Sequence, residues 1–303
     1  MALKVREATA VDFDDIYKLL KRLNDTSLSR SDWQRITKVD FDTKENHYGY
    51  VLESDTELLG FLGTIFSQRQ VGGQELNFCN IHSWIVDPKA KTGGMALLLK
   101  VLRLKTHIIT NFTASEGPYK IFKSLKFKEV EYKNYKLLPL QSNKAMAKVT
   151  VQNVTDDNAE KLLDQQEQKL YKAHRHFDNV QFLCVSNQES RSFVITKRKV
   201  YVPGAINKIP ILKSYLRRKM FLAEIHYISN PDVFIAGFSN TRTAIHICKA
   251  LGSLGIIMAN RYLPVAHTLT KKLYPSKRPY FYRHADNDHL IDTLYSELFV
   301  LNF

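Results

Sequence analysis

Apolar residues recur along this chain in two rhythms. From Asp12 to Leu23 the positions Ile16, Leu19, Leu20 and Leu23 fall on one side of a helix, the spacing expected of 3.6 residues per turn. The rhythm then shortens to two. Residues 48–53 and 58–68 alternate apolar and polar positions around Ser54-Asp55-Thr56-Glu57, which predicts a β-hairpin. Gly72-Gly73 turns the chain into a third strand over 76–86. A helix over 95–104, a strand over 107–111, a helix over 119–125 and a closing strand complete the pattern.

The same order is read a second time. Val5-Arg6-Glu7-Ala8-Thr9 is answered by Val151-Gln152-Asn153-Val154-Thr155, followed by a helix from Asp156 with Leu162, Leu163, Leu170 and Tyr171 apolar. Strands over 181–186 and 191–197 repeat the hairpin. Ile225-His226-Tyr227-Ile228 precedes Pro231 as Ile81-His82-Ser83-Trp84 precedes Pro88. A helix over 243–251, a strand over 255–260, a helix over 265–273 and a final strand, which Tyr295-Ser296-Glu297-Leu298 begins, close the copy. The order of elements carries this repeat more than residue identity does. Alternating strands and helices predict an α/β (α+β) fold in two tandem domains. Each has a central mixed sheet, antiparallel first and parallel after, flanked by helices. The polar stretch Gln141-Ser142-Asn143-Lys144 puts the boundary between domains 1–145 and 146–303.

Length agrees, since 303 residues suit two ordinary domains. Charge narrows the partners. A net +14 attracts polyanions, whether nucleic acid, anionic lipid, phosphorylated cofactors or acidic sugars, or it keeps a lysine-rich surface soluble. The three cysteines, Cys79, Cys184 and Cys248, are scattered and form no metal-ligand spacing, so no metal is expected and a reducing compartment suits them. No signal-peptide core opens the chain and no run of 18 apolar residues crosses it; a cytoplasmic address is the expectation. A second-copy insertion is basic over 206–219, with Lys208, Lys213, Arg217, Arg218 and Lys219. It could rest on anionic lipid or simply cover the second domain.

The most informative turn is Val86-Asp87-Pro88-Lys89-Ala90-Lys91-Thr92-Gly93-Gly94-Met95-Ala96. A strand ends, Pro88 stops it, and small residues open a helix whose first N–H groups lack partners. With the helix dipole, Lys89 and Lys91, that makes a phosphate site, glycines 93 and 94 allowing close approach of a ligand. The alternative is an ordinary tight turn between strand and helix. Lys91-Thr92-Gly93-Gly94-Met95-Ala96 resembles the Arg/Gln-x-x-Gly-x-Gly/Ala signature of the GNAT superfamily of acyl-CoA N-acyltransferases. Val86-Asp87-Pro88 resembles its lead-in, and Ile121-Phe122-Lys123-Ser124-Leu125-Lys126-Phe127 its Leu-Tyr-Glu-Lys-Leu-Gly-Phe segment. The resemblance is specific over 48–132 and architectural beyond.

The resemblance implies a splay between the strand ending at Val86 and the strand 107–111, with acetyl-CoA or another acyl-CoA in the cleft. Lys91, Thr92, Gly93, Gly94, Met95 and Ala96 would hold its pyrophosphate; Trp84, Val86 and Asn111 would bind the rest. Three positions depart from the family pattern. Lysine stands at 91, lysine replaces a glycine at 126, and Phe122 stands where many members carry the tyrosine that protonates the thiolate. Tyr119, one turn back, could take that role. His82 and, further back, Glu75 are the candidate bases, His82 having a suitable ordinary pKa, although a histidine in an apolar strand is commonly structural. Ser83, Glu224 and His226 are candidate substrate contacts. The second copy lacks the turn and is expected to complete the acceptor site without binding acyl-CoA.

The function this implies is direct transfer of a short acyl group to an amine or hydroxyl of a small or sugar-like acceptor, in the manner of GNAT enzymes of polysaccharide or amino-sugar biosynthesis. Two alternatives are a Fem-type aminoacyltransferase using aminoacyl-tRNA and a non-catalytic GNAT pair binding nucleic acid or protein. The phosphate turn weighs against nucleic acid. Oligomeric state is not legible.

Overall fold

The computed structural model describes residues 2–23, 28–39, 41, 43–71, 73–130, 132–139, 149–201, 220–263, 271–274, 279–286 and 290–301. The basic insertion 206–219 and the polar joint at 141–144 lie outside them. Among the described residues, fourteen strands form two mixed sheets of seven, flanked by helices.

The first sheet runs β1 (Lys4–Glu7), β2 (Gly49–Glu53), β3 (Leu58–Val71), β4 (Gln74–Val86), β5 (His107–Asn111), β14 (Tyr280–Arg283) and β6 (Lys128–Val130). Its helices are α1 (Phe13–Leu20), α2 (Arg30–Arg35), α3 (Gly94–Leu102) and α4 (Glu116–Ser124). Among the described strands of this sheet only β4 and β5 are parallel, because α3 carries the chain across between them. The second sheet runs β13 (Lys271–Tyr274), β7 (Asn134–Leu137), β12 (Ile256–Ala259), β11 (Phe221–Ile228), β10 (Arg191–Val200), β9 (Val180–Ser186) and β8 (Thr150–Asn153). There β11 runs parallel to β12.

The expected boundary at 145 needs correction. The chain groups into one unit of Met1–Glu131 with Lys277–Phe303 and another of Tyr132–Ser276. β7 was expected to close the first sheet and instead pairs with β12 and β13 in the second. β14 was expected in the second and lies between β5 and β6 of the first. Each is four residues long, and a strand that short specifies a buried face but no neighbour. The expected helix at 265–273 is outside the described residues up to 270, and Leu273 belongs to β13. Tyr295–Leu298 begins no strand: Glu297–Val300 is a short helix capped by the Ser296 hydroxyl.

Each unit has its own core. In the first, α3 and α4 bury Leu97, Leu98, Val101 and Phe122 against Leu52, Cys79, Ile81 and Ile109. In the second, Phe234, Phe238, Ile247 and Leu251 pack on Leu183, Val194, Ile225 and Met258. The cysteines are free and buried. Among the described residues no helix is long and apolar enough to cross a membrane.

Candidate active site

β4 and β5 pair only from Asn77 with His107 to Asn80 with Thr110. Beyond Asn80, β4 runs on for six residues, 81–86, with no strand among the described residues on that side. The strand is central in its sheet, yet Ser83, Trp84, Ile85 and Val86 are only half-buried. This is an open fork. Asn111 stands at its apex: its Nδ2 donates to the Ile81 carbonyl at 2.8 Å, while its Oδ1 is buried with no hydrogen-bond partner among the described residues.

A bulge shapes the free arm. Phe61 pairs with Ile85 and Gly63 with His82, so Ser83 and Trp84 together face Leu62. Ser83 takes φ 50, a left-handed conformation that costs a non-glycine residue energy and bends the strand. The His82 ring explains the neighbouring glycine. A Cβ on Gly63 would lie 2.2 Å from the His82 ring, so the imidazole lies flat on bare backbone. Gly63→Ala is expected to cost about 1–3 kcal/mol as overpacking, read as a lower urea midpoint.

Below the arm the chain enters α3. Asp87 caps the turn, accepting from the Lys89 amide at 2.9 Å and pairing with Arg22 at 2.5 Å. Its carboxyl is held below the usual range, first by the Lys89 amide and then by Arg22. No side chain caps the start of α3 at Gly93, but a 3-10 turn over Pro88–Gly93 leads straight into it and the Gly94 amide donates to the Lys91 carbonyl. Thr92 and Met95 are exposed there, as are Lys89 and Lys91. Gly93 is needed for packing rather than for a ligand, because a Cβ there would strike Leu52 at 2.3 Å. Gly94 faces Val86 and the Trp84 indole, 3.3 and 3.7 Å from its would-be Cβ. At the matching place in the second unit, the helix Pro231–Phe238 is capped by Asn230, which accepts from the Val233 amide, and Phe234, Ile235 and Phe238 fill the core.

The expected catalytic groups fare unequally. His82 does not suit a base. It is 1% exposed, its Nδ1 meets the Ser83 hydroxyl at 2.9 Å, and burial pushes its pKa down to about 3. Such an imidazole stays neutral and binds a proton too weakly to draw one from an ammonium at neutral pH. Glu75 is exposed at the far end of β4, bonded by Gln70, seven residues or about 23 Å along the strand from His82. Phe122 is fully buried among Trp84, Phe127 and Phe281, so that position supplies packing and no acid. Tyr119 lies half-buried on α4 against Phe281, ring centroids 5.4 Å apart. Glu224 and His226 belong to the second sheet. Burial opposes charge on Glu224, yet Lys199 at 2.8 Å and His226 hold it below the usual carboxylate range; burial pushes His226 down to about 4. Glu224 on β11 is thus ion-paired with Lys199 on β10, with the His226 imidazole neutral beside it. No group of three His, Cys, Asp or Glu fit to hold a metal occurs among the described residues.

One group was misread from the sequence. Glu297, which the pattern places at the start of a final strand and which could there bind substrate or stand exposed at the strand end, is 1% exposed. The Thr113 hydroxyl donates to its Oε1 at 2.8 Å, and its amide donates to Asn80 Oδ1 at 3.3 Å. Burial pushes its pKa up to about 7 against the Thr113 hydrogen bond. The sequence signal was slight: Thr293, Ser296 and Glu297 are three polar residues in an apolar tail, and all three are buried.

No family model matches the chain, and no curated protein sequence matches it. Its structure is similar to that of a GCN5-related N-acetyltransferase from Anabaena variabilis ATCC 29413, with 13% identity and a TM-score of 0.60 over 93% of this chain and 72% of that one. A GCN5-related N-acetyltransferase from Kribbella flavida gives 14% and 0.58 over 93% and 71%. The GCN5-related glucosamine N-acetyltransferase region of a fungal multi-domain GH3 β-N-acetylglucosaminidase gives 11% and 0.58 over 93% and 38%. What is shared at such identities is the fold, which is that of GCN5-related N-acetyltransferases.

Proposed function

We propose that the protein transfers an acetyl or other short acyl group from acyl-CoA to an amine or hydroxyl of a small acceptor, an amino sugar being favoured. The observation that carries this reading is the fork: β4 and β5 part beside the start of α3. The main chain of 82–86, which meets no strand among the described residues on that side, suits the amide-rich pantetheine arm. The Asn111 Oδ1, buried and without a partner among the described residues, fits an N–H of that arm, since such an acceptor is costly when left unmade. Main-chain amides in the first turn of α3 other than that of Gly94, which donates to the Lys91 carbonyl, suit the pyrophosphate with Lys89 and Lys91. When bound, acyl-CoA supplies an activated acyl carbon on a thioester. The chain's own share is to hold the arm straight along β4, to donate main-chain N–H groups near Trp84 and Val86 to the developing oxyanion, and to place Tyr119 near the departing sulfur. The fungal glucosamine N-acetyltransferase region supports the amino-sugar acceptor.

Isothermal titration with acetyl-CoA should give saturable binding. Lys91→Glu should weaken it roughly 10- to 100-fold, the worth of one charge-assisted phosphate contact. Free thiol should appear when glucosamine is added. An absence of binding heat from the wild-type protein overturns the reading, and binding without thiol release from any amine or alcohol would leave a non-catalytic binding module.

A further inference from the structure

Three buried polar atoms at the fork, Asn111 Oδ1, His82 Nε2 and Glu297 Oε2, have no hydrogen-bond partner among the described residues, and they flank it from opposite faces. Cys79, Ile81 and Ile109 project towards α3 and α4. Alternation along a strand therefore sends Asn80 and Thr110 to the other face, where Asn80 Nδ2 donates to the Thr110 hydroxyl at 3.2 Å. Asn111 shares the face of Ile109. Glu297 sits on the opposite one, its amide on Asn80, the last residue of β4 before the strands part. On that side its Oε2 and the His82 Nε2 are both buried with no hydrogen-bond partner among the described residues.

The segment around Glu297 is built to hold it. The Arg69 guanidinium pairs with Asp292 at 2.6 Å, donates to the Leu294 carbonyl at 3.1 Å and lies between the Phe78 and Tyr295 rings. The Ser296 hydroxyl donates to the Thr293 carbonyl at 2.7 Å. A carboxyl held this firmly in an apolar setting costs stability, and a group retained at such a cost marks a site of chemistry. Thr113, half-buried two residues beyond the end of β5, links that carboxyl to the β5 side of the fork through its hydroxyl.

We infer that Glu297 is the proton acceptor of the transfer step, reached through the Thr113 hydroxyl from the face of the sheet opposite α3 and α4. This rests on the acyl-transfer reading and names the group that reading lacked. An acceptor ammonium arriving on that face gives one proton to Thr113 as Thr113 passes its own to Glu297. The freed amine attacks the thioester carbon, the N–C bond forms and the C–S bond breaks. The second nitrogen proton goes to the departing thiolate, leaving an amide and a free thiol, and Glu297 returns its proton to solvent. A base poised near neutrality serves such a step best, and burial has brought Glu297 to about 7. Titratable side chains on the neighbouring elements include Glu75, Cys79 and His82 on β4, Arg69 on β3 with its partner Asp292, His107 on β5, Tyr280, Tyr282 and Arg283 on β14, and Tyr295. None of them is among the causes that move the Glu297 pKa.

Glu297→Gln keeps shape and removes the proton acceptor. It should bind acetyl-CoA within about twofold of the wild type and lose roughly 10²- to 10⁴-fold in kcat/KM. The limb of the pH profile that rises through about 7 should vanish with it. Thr113→Val should fall by a comparable factor, and Thr113→Ser, which keeps the hydroxyl, should recover most of the rate. A carboxylic-acid infrared band that titrates near neutral pH in the wild type should be missing in Glu297→Gln, a readout independent of turnover. Wild-type rates in Glu297→Gln, or survival of its pH limb, would overturn the inference while leaving acyl transfer intact. A wild-type protein that binds no acetyl-CoA would overturn both.

Discussion

Phe122→Ala is expected to remove about 3–5 kcal/mol of stability, the usual range for emptying a buried aromatic site. Phe122 is fully enclosed. Its ring centroid lies 4.8 Å from Phe127, 5.5 Å from Phe281 and 6.2 Å from Trp84. These rings join α4, β14 and the free arm of β4, so the cavity would open under the fork rather than in a remote corner. The urea midpoint should drop sharply, and acetyl-CoA affinity should fall with it as Trp84 loses its support. A midpoint within about 0.5 kcal/mol of the wild type, the level of an ordinary surface change, would show that this ring cluster does not hold the fork. Phe122→Tyr should not raise activity, because the added hydroxyl would enter the core and not the cleft.

Glu297→Gln should have the opposite effect on stability, and in a pH-dependent way. The folded pKa of Glu297 lies at about 7, above the ordinary glutamate value of 4.5. Between those values the folded protein binds more protons than the unfolded chain, so stability falls as pH rises through that window. Above it the wild type carries a buried charge at a cost of about 3 kcal/mol, each tenfold change in proton affinity being worth about 1.4 kcal/mol. Glutamine is neutral throughout. The variant should therefore be the more stable protein at about pH 8 by roughly that amount, with the gap closing as pH falls to 4.5. Thermal melts of both proteins at the two pH values would settle it, and an equal Tm difference at both would exclude a buried titrating carboxyl. A variant that is more stable yet catalytically poor is the signature of a residue kept for chemistry.

Much of the fold could be read from local spacing. The strand expected over 107–111 is β5, residue for residue. The hairpin around Ser54–Glu57 forms, with Ser54 and Glu57 joined by a main-chain hydrogen bond, and the helix after Pro88 starts at Gly94. Each depends on neighbours a few residues apart, where periodicity and turn chemistry act directly. The fork was legible only through the resemblance of residues 86–96 to a known signature. Nothing local announces that β4 will leave β5 at Asn80.

For His82 and Glu297 the sequence left the protonation state open for one reason. Sequence gives a residue's ordinary pKa, but burial and partners set the real one. A histidine pressed on Gly63 becomes inert, whereas a glutamate folded back from the C-terminal segment onto Asn80 and Thr113 becomes poised.

The β5 strand, the hairpin around Ser54–Glu57 and the glycine turn that opens α3 were thus determined by the amino-acid sequence itself. Backbone geometry and side-chain alternation act over short stretches, so these features need no knowledge of the rest of the chain. Which sheet receives β7 and β14, where β4 parts from β5, and which carboxyl reaches the fork were decided only in three dimensions. Those outcomes join residues as distant as Asn80 and Glu297, and contacts that far apart are selected by packing and burial, which no local pattern encodes.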